Sequence, residues 1–311
     1  MDERAALALL ADELEYAGDD AAVVDDLVVT TDMLHETTDF PAGTTRYTAG
    51  WRAVGASLSD VAAMGAEAVV AVAAYAAPEF DGEDLLAFVR GARDVCDLVG
   101  ADYVGGDLDG HDEFTVTTTA IGRLENDPVP RSGATRGDLL CVTGTLGRSA
   151  AALEYFALAQ DGGGGGDEGK DEGKDENNNE RANELFQFEP RIEAGRALAP
   201  HATAMMDSSD GLARSLHQLG EASGCGFEVD ASHVPIAESL RDVTETADEA
   251  LERATTFGED FELVVTIPEG ALEAVRKATP VPISVLGSVV PHEDGITMDG
   301  EPLPDRGFTH G

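Results

Sequence analysis

The chain has 311 residues, with 61 Asp or Glu against 20 Lys or Arg, so its formal net charge is −41 at pH 7. Nucleic acids and anionic membranes are normally bound through Lys and Arg, so this composition argues against both partners. It is typical of a halophilic protein, because in molar salt the Debye length is about 3 Å and surface carboxylates repel one another little. No signal peptide or apolar run long enough to span a membrane is visible, so we expect a cytoplasmic protein.

The first part of the chain alternates β-branched runs with longer amphipathic stretches, which is typical of an α/β or α+β fold. In chain order we predict a helix near residues 3–15, a strand over 27–31, a helix over about 46–64, a strand over 69–75, a helix over 83–99, and strands near 103–104 and 114–121. After Pro128 and Pro130 the pattern restarts. We therefore predict two domains, residues 1–135 and 136–311.

The second domain is predicted to mix strands and helices in the same way. The predicted elements are a strand over 139–142, a helix over 149–158, a helix near 191–198, a strand over 204–206, a helix over 211–223, and strands over 227–229, 261–267 and 283–286. Cys96, Cys141 and Cys225 are widely spaced, so they indicate buried small side chains rather than disulfides or a zinc site.

Residues 161–184 interrupt this domain with five consecutive glycines, dense charge and no apolar periodicity. Such a segment buries too little surface to offset the entropy of ordering it, so we predict a flexible acidic insert. Residues 164–170 fit the P-loop pattern G-x-x-x-x-G-K, but Asp171 stands where a P-loop needs a hydroxyl for Mg²⁺ and no strand precedes it. We interpret the match as a coincidence of low complexity.

Several acidic residues lie in glycine turns, at strand ends or in an apolar helix, where a solvating surface acid has no special reason to be. They are Asp20 in a glycine turn, Asp32 after Thr30 and Thr31 at a strand end, Asp60 in an apolar helix, Asp107 after two glycines, and Asp207 and Asp210 between a strand and a helix. Each alone is most simply a turn former, a helix cap or a solvated acid. Together they indicate a site for Mg²⁺ ions, which prefer oxygen ligands and can hold ATP in an acidic pocket.

The order of the motifs resembles that of the thiamine-monophosphate kinases, from about residue 18 to residue 308. The shared motifs are Gly-Asp-Asp-Ala-Ala-Val at 18–23, Thr-Thr-Asp at 30–32, Leu-Ser-Asp-Val-Ala-Ala-Met-Gly-Ala at 58–66, Gly-Gly-Asp at 105–107, Arg-Ser-Gly-Ala at 131–134 with Gly-Asp at 137–138, Val-Thr-Gly-Thr-Leu-Gly at 142–147, Asp-Ser-Ser-Asp-Gly at 207–211 and Gly-Glu-Asp-Phe-Glu-Leu at 258–263. The resemblance implies the two-domain architecture of the aminoimidazole ribonucleotide synthetase superfamily. In it, an N-terminal mixed sheet with helices forms a homodimer and an α/β sandwich follows.

The resemblance also implies an activity, the ATP-dependent phosphorylation of thiamine monophosphate to thiamine diphosphate with several Mg²⁺ ions, the last step in making that cofactor. By motif it implies metal ligands at Asp20, Thr30, Thr31, Asp32, Asp60, Asp107, Asp207 and Asp210, ATP contacts at Gly106, Asp107, Arg131 and Ser209, and substrate contacts at Glu259 and Phe308. Where the family typically has His before Phe, this chain has Asp39, which we add as a candidate substrate contact.

The chemistry requires no catalytic base, because a substrate phosphate with a second pKa near 6 is already largely deprotonated at neutral pH. Catalysis then consists of aligning two polyanions and neutralising their charge, to which Arg131 would contribute. Two alternatives remain open. One is another ATP-dependent enzyme of the superfamily, similar to aminoimidazole ribonucleotide synthetase. The other, motivated by Asp39, is a catalytically weak nucleotide- or thiamine-binding protein.

Overall fold

The first part of the chain forms a five-stranded mixed sheet with helices on one face. In the computed structural model, which describes residues 13, 14, 16, 18–161 and 172–307, its strands are β1 (Ala22–Val24), β2 (Leu27–His35), β3 (Glu67–Ala77), β4 (Asp102–Gly110) and β5 (Thr115–Arg123). The order across the sheet is β1-β2-β5-β3-β4, with β3 and β4 parallel and the other neighbours antiparallel. The helices are α1 (Glu36–Asp39), α2 (Arg46–Ala63) and α3 (Gly82–Val99).

Helix α2 covers the inner face of this sheet, against β2, β3 and β5, and α3 packs beside it. Its start is fixed by Thr45, whose hydroxyl accepts the Thr48 N–H, and Gly65 follows its end at φ +73°, a conformation that favours glycine. The opposite face of the sheet has no helix over it among the described residues, and Met33 and Val72 are exposed there.

The second part of the chain forms a seven-stranded sheet in the order β12-β11-β8-β10-β6-β9-β7, with β11 and β8 parallel and the other neighbours antiparallel. Its strands are β6 (Leu139–Thr143), β7 (Ala204–Asp207), β8 (Cys225–Val229), β9 (Leu263–Ile267), β10 (Ile283–Pro291), β11 (Ile296–Met298) and β12 (Glu301–Pro302). The helices are α4 (Arg148–Asp161), α5 (Glu172–Phe186), α6 (Ile192–Leu198), α7 (Leu212–Ser223), α8 (Glu238–Val243), α9 (Ala247–Thr256) and α10 (Leu272–Ala278).

The second sheet is buried on both faces at β7 and β9. Met205 and Val265 belong to a hydrophobic core that they share with the first sheet, whereas their neighbours Met206 and Val264 belong to a second core under the helices of the second half. Strands β7 and β9 are accordingly buried at every position. This explains why their sequences, apart from Asp207 and Thr266, are apolar without alternation.

The fold class and the expected mixed N-terminal sheet are confirmed, and the predicted strands and helices within the described ranges are present. The predicted helix at residues 3–15 lies almost entirely outside the described residues, and the P-loop-like match at 164–170 lies outside them. The short strands β1, β11 and β12 and helices α1, α8, α9 and α10 were not predicted. The three cysteines are buried and unpaired, as expected. No described helix combines the length and apolar character that a membrane span requires.

The prediction of a flexible insert over 161–184 is wrong for residues 172–184, which belong to α5. The helix packs on α4 and buries Ala182, Leu185 and Phe186. Because these apolar residues all fall in its last turn and a half, the polar residues before them hid the helical pattern. Tertiary packing at the C-terminal end of α5 outweighs the unfavourable composition of its start.

Candidate active site

Three carboxylates from distant parts of the chain meet where the two sheets join. Asp20 lies in the turn before β1, Asp60 near the end of α2, and Asp207 at the end of β7. One carboxylate oxygen of each lies within 4.8 Å of the others. The Asp20 side chain is fully enclosed and Asp207 is 1% exposed. Since enclosed carboxylates repel one another, this arrangement favours a bound cation, and its hard oxygen donors fit Mg²⁺.

The pKa values of these acids reflect the crowding. Burial raises the pKa of Asp60 well above its usual range, and the charges of Asp32, Asp207 and Asp20 raise it further. Burial, followed by the charge of Asp20, raises the pKa of Asp207 to about 7. Two hydroxyls oppose these shifts, because Thr30 donates to Asp60 and Ser59 donates to Asp207 at 2.7 Å. A cation among these oxygens would favour their ionised forms.

The alternation of strand β2 decides which of its predicted ligands reach the cluster. Thr30 and Asp32 point towards α2, where Thr30 bonds Asp60 and the Ser57 hydroxyl donates to Asp32 at 2.6 Å. The side chain of Thr31 points to the opposite face, where its hydroxyl donates to the carbonyl oxygen of Thr118 at 2.8 Å. The structure therefore brings Thr30 and Asp32 to the cluster and leaves the Thr31 side chain away from it.

Arg131 lies against the cluster. Its guanidinium donates to both oxygens of Asp20, at 2.9 and 3.2 Å, and its backbone N–H donates to Asp19 at 2.8 Å. Burial lowers the pKa of Arg131, but the adjacent Asp20 outweighs that effect and the pKa lies above its usual value. Arg131 is therefore a fixed positive charge beside the carboxylates, as a contact for phosphate oxygens requires.

Asp107 and Gly106 lie on the edge strand β4, and Asp107 is exposed. Across the sheet, Asp107 is in register with Ala74, Thr117 and Met33, on the uncovered face. Asp32 is one position away along β2, paired with Thr118, so its side chain is on the opposite face, which α2 covers. Within one chain the structure therefore does not bring Asp107 together with Asp32 and Asp60.

The Asp-Ser-Ser-Asp-Gly segment, residues 207–211, connects this cluster to the predicted substrate side. The Ser209 N–H donates to Asp207 at 3.3 Å, and the Ser209 carbonyl oxygen accepts the Glu259 N–H at 2.7 Å. Gly258 has φ +83°, and a Cβ there would lie 2.5 Å from the Ser209 oxygen, so the close approach requires glycine. Asp210 follows in the same loop, and the Gln218 amide lies 3.5 Å from its carboxylate.

A cavity of about 120 Å³ lies on the predicted substrate side. It is lined by residues 37–41, Leu153, Phe186, Phe257 and Glu259. Asp39 and Glu259, predicted from separate motifs, therefore share one cavity, whereas Phe308 lies outside the described residues. Asp39 is 6% exposed and accepts the His35 N–H at 2.6 Å. Carboxylates and aromatic rings together suit an organic cation.

Glu259 does not face the cavity as an isolated charge, because it pairs with a residue that the sequence reading missed. Arg52 is fully buried in α2, and its guanidinium donates to the Glu259 carboxylate at 2.5 Å, to the Glu259 carbonyl oxygen at 2.9 Å and to the Phe186 carbonyl oxygen at 2.7 Å. It also lies 3.6 Å from the centroid of the Phe186 ring. The sequence did contain one signal for Arg52, namely a charged residue within an otherwise apolar stretch of helix.

The glycine turn at residues 144–147 is a strand-to-helix connection whose N–H groups are already bonded. The Gly147 and Ser149 N–H groups donate to the Asp260 carboxylate at 2.5 and 2.9 Å, so Asp260 caps the start of α4. Burial raises the pKa of Asp260 to about 7, although both hydrogen bonds favour its charged form. The carboxylate occupies the position in which a phosphate would bind these N–H groups.

Two family models match the chain. Residues 18–124 match the N-terminal domain of the AIR synthase related proteins, and residues 135–299 match their C-terminal domain. The hydrogenase maturation protein HypE of E. coli has the same fold, with a TM-score of 0.68 at 22% identity over 99% of this chain and 96% of that chain.

Individual relatives show which group of these proteins the chain is most similar to. A thiamine-monophosphate kinase of Halobacterium salinarum is 58% identical over 310 residues, covering 100% of both chains, and one of Methanospirillum hungatei is 39% identical over 84% of this chain and 80% of its own. A solved structure described as AaThiL complexed with AMPPCP and TMP matches with a TM-score of 0.84 at 26% identity, over 100% of this chain and 97% of that chain. The chain therefore belongs to the AIR synthase related proteins and, among them, to the thiamine-monophosphate kinases.

Proposed function

We propose that the chain transfers the γ-phosphoryl group of ATP to the phosphate of thiamine monophosphate, which gives thiamine diphosphate. The observation that carries the proposal is the connection between two sites of complementary chemistry. The carboxylate cluster suits Mg²⁺ and phosphates, the cavity suits a cationic aromatic group, and the hydrogen bond from Glu259 to Ser209 joins them. Thiamine monophosphate carries both kinds of group on one molecule.

The carboxylate cluster would hold Mg²⁺ through Asp20, Asp60 and Asp207, with Thr30 and Asp32 beside them. Asp210, three residues after Asp207 in the same loop, is a further candidate ligand. When bound, Mg²⁺ would neutralise the charges of the two phosphate-bearing substrates. Arg131 would add a fixed positive charge next to Asp20, and Ser209 would contact the nucleotide from the 207–211 loop.

The residues of the chain would act by positioning rather than by proton transfer. The acceptor oxygen belongs to a phosphate with a second pKa of about 6, so it is a nucleophile at neutral pH without a base. The cavity would orient the cationic ring, and the buried Arg52 would keep Glu259 in place. Alignment of donor and acceptor then supplies most of the rate enhancement.

We also propose a homodimer formed through the uncovered face of the first sheet. Among the exposed apolar side chains of this sheet are Met33, Val72 and Val104, and Asp107 lies on the same face as Met33. A second copy would cover these side chains. It would also bring Gly106 and Asp107 of one chain towards the nucleotide of the other. Light scattering in molar KCl should give twice the chain mass, and a monomer would contradict this assembly.

The cytoplasm is the proposed location, because ATP is a substrate. The net charge of −41 supports a salt-rich cytosol and opposes nucleic acid or membrane partners. A domain boundary near residue 135 also remains a proposal. The gap between the family matches, residues 125–134, supports it.

The decisive assay offers ATP and Mg²⁺ in molar KCl with thiamine monophosphate, free thiamine or formylglycinamidine ribonucleotide, one at a time. We expect ADP release and thiamine diphosphate only with thiamine monophosphate. ADP release with the ribonucleotide alone would indicate a synthetase of the superfamily. Binding of an ATP analogue without ADP release from any of the three would indicate a binding protein, the alternative suggested by Asp39.

A further inference from the structure

Helix α5 lines one side of the substrate cavity and bonds the segment that follows its other side. Phe186, in its last turn, is 2% exposed, lines the cavity and lies against the guanidinium of Arg52. Asn183, three residues earlier and on the same side of the helix, is 7% exposed. A buried amide needs hydrogen-bond partners for its donors and its acceptor. The partners of Asn183 therefore show which segment this part of α5 fixes in place.

Asn183 bonds the segment that follows the cavity wall. Its Oδ1 accepts the Thr45 N–H at 2.9 Å, and its Nδ2 donates to the Gly43 carbonyl oxygen at 3.0 Å and to the Asn179 carbonyl oxygen at 2.9 Å. Both amide donors and the acceptor oxygen are therefore used. Two of the three bonds reach Gly43 and Thr45, in the segment that follows the cavity-lining residues 37–41.

Polar contacts rather than apolar burial hold residues 41–45. Ala42 and Gly43 are exposed, and the Gln160 amide at the end of α4 donates to the Ala42 carbonyl oxygen at 2.8 Å. A Cβ on Gly43, which has φ +100°, would lie 2.4 Å from the side-chain oxygen of Asn179. The segment therefore packs closely against α5, and its buried hydrogen bonds to that helix are those of Asn183.

We propose that Asn183 is a positioning residue for thiamine monophosphate. One turn of α5 holds both walls of the cavity, Phe186 directly and residues 37–41 through Asn183, and so sets the distance between them. This inference rests on the proposed function. The carboxylate cluster lies at the other end of α2, because Asp60 is about 22 Å along the helix from Thr45. Loss of Asn183 should therefore change recognition of thiamine monophosphate and leave recognition of ATP intact.

The test compares Asn183→Ala with Asn177→Ala, an exposed asparagine of the same helix, in molar KCl. Because two hydrogen bonds to the loop are lost, we expect the KM for thiamine monophosphate to rise about tenfold in Asn183→Ala. The kcat and the KM for ATP should change less than about twofold. Asn177→Ala should match the unmodified chain. A fall in kcat with both KM values unchanged would mean a merely structural role and overturn the proposal.

Two further measurements keep the test decisive. If Asn183→Ala does not fold, Gln160→Ala removes the other side-chain bond to the same segment, and an unchanged KM in that variant would overturn the proposal. Calorimetric titration with thiamine monophosphate alone separates this inference from the proposed activity. Binding about tenfold weaker in Asn183→Ala supports the positioning role even if the unmodified chain releases no ADP, whereas equal binding overturns it.

Discussion

Removal of the Arg52 side chain tests the buried ion pair between the two halves of the chain. In Arg52→Met, Glu259 would remain 9% exposed without a counter-charge, and the Phe186 and Glu259 carbonyl oxygens would each lose a donor. Breaking one side of a buried pair costs about 3–5 kcal/mol. We therefore expect the free energy of unfolding to fall by about that amount, a large fraction of the roughly 5–15 kcal/mol typical of folded domains.

The assay is urea unfolding in molar KCl, followed by the fluorescence of Trp51, the one tryptophan of the chain, which neighbours Arg52 and bonds the Phe188 carbonyl oxygen. A second variant isolates the part of this loss that comes from the uncompensated charge of Glu259. Arg52→Met with Glu259→Gln removes the uncompensated carboxylate, so the double variant should be more stable than the sum of the single effects by about 1–3 kcal/mol. A loss below about 1 kcal/mol in Arg52→Met, or strictly additive effects, would refute this reasoning.

Three other substitutions test the carboxylates individually. Asp60→Asn should nearly abolish turnover while the protein stays folded by circular dichroism, and near-normal turnover would contradict its role in the metal site. Asp39→Asn should raise the KM for thiamine monophosphate roughly tenfold through loss of a charged partner, and an unchanged KM would remove Asp39 from the substrate contacts. Asp260 ionises at about pH 7 when folded and near 4 when unfolded, so the folded state binds the extra proton between these values and unfolding free energy falls as pH rises. Asp260→Asn should remove up to about 1.4 kcal/mol per pH unit of that slope in urea unfolding at pH 5, 6 and 7, and identical slopes would contradict it.

The sequence allowed the strands, the long helices and the three clustered carboxylates to be predicted, because these depend on local pattern and motif. The period of two along β2 was also available, and it separates Thr30 and Asp32 from Thr31. The position of Asp107 could not be predicted from the sequence, because it depends on the order of the strands in the sheet. The same holds for Arg52, whose partner Glu259 lies 207 positions away. Helix α5 depends on packing that its polar composition conceals.

Phosphorus NMR of the reaction mixture tests the central claim most directly, because it identifies the atom that receives the phosphoryl group. With ATP, Mg²⁺ and thiamine monophosphate in molar KCl, the account predicts that the single resonance of the monophosphate is replaced by the two coupled resonances of a diphosphate ester. One molecule of the diphosphate ester should form for each ADP released. Inorganic phosphate appearing with ADP while the monophosphate resonance stays unchanged would contradict it.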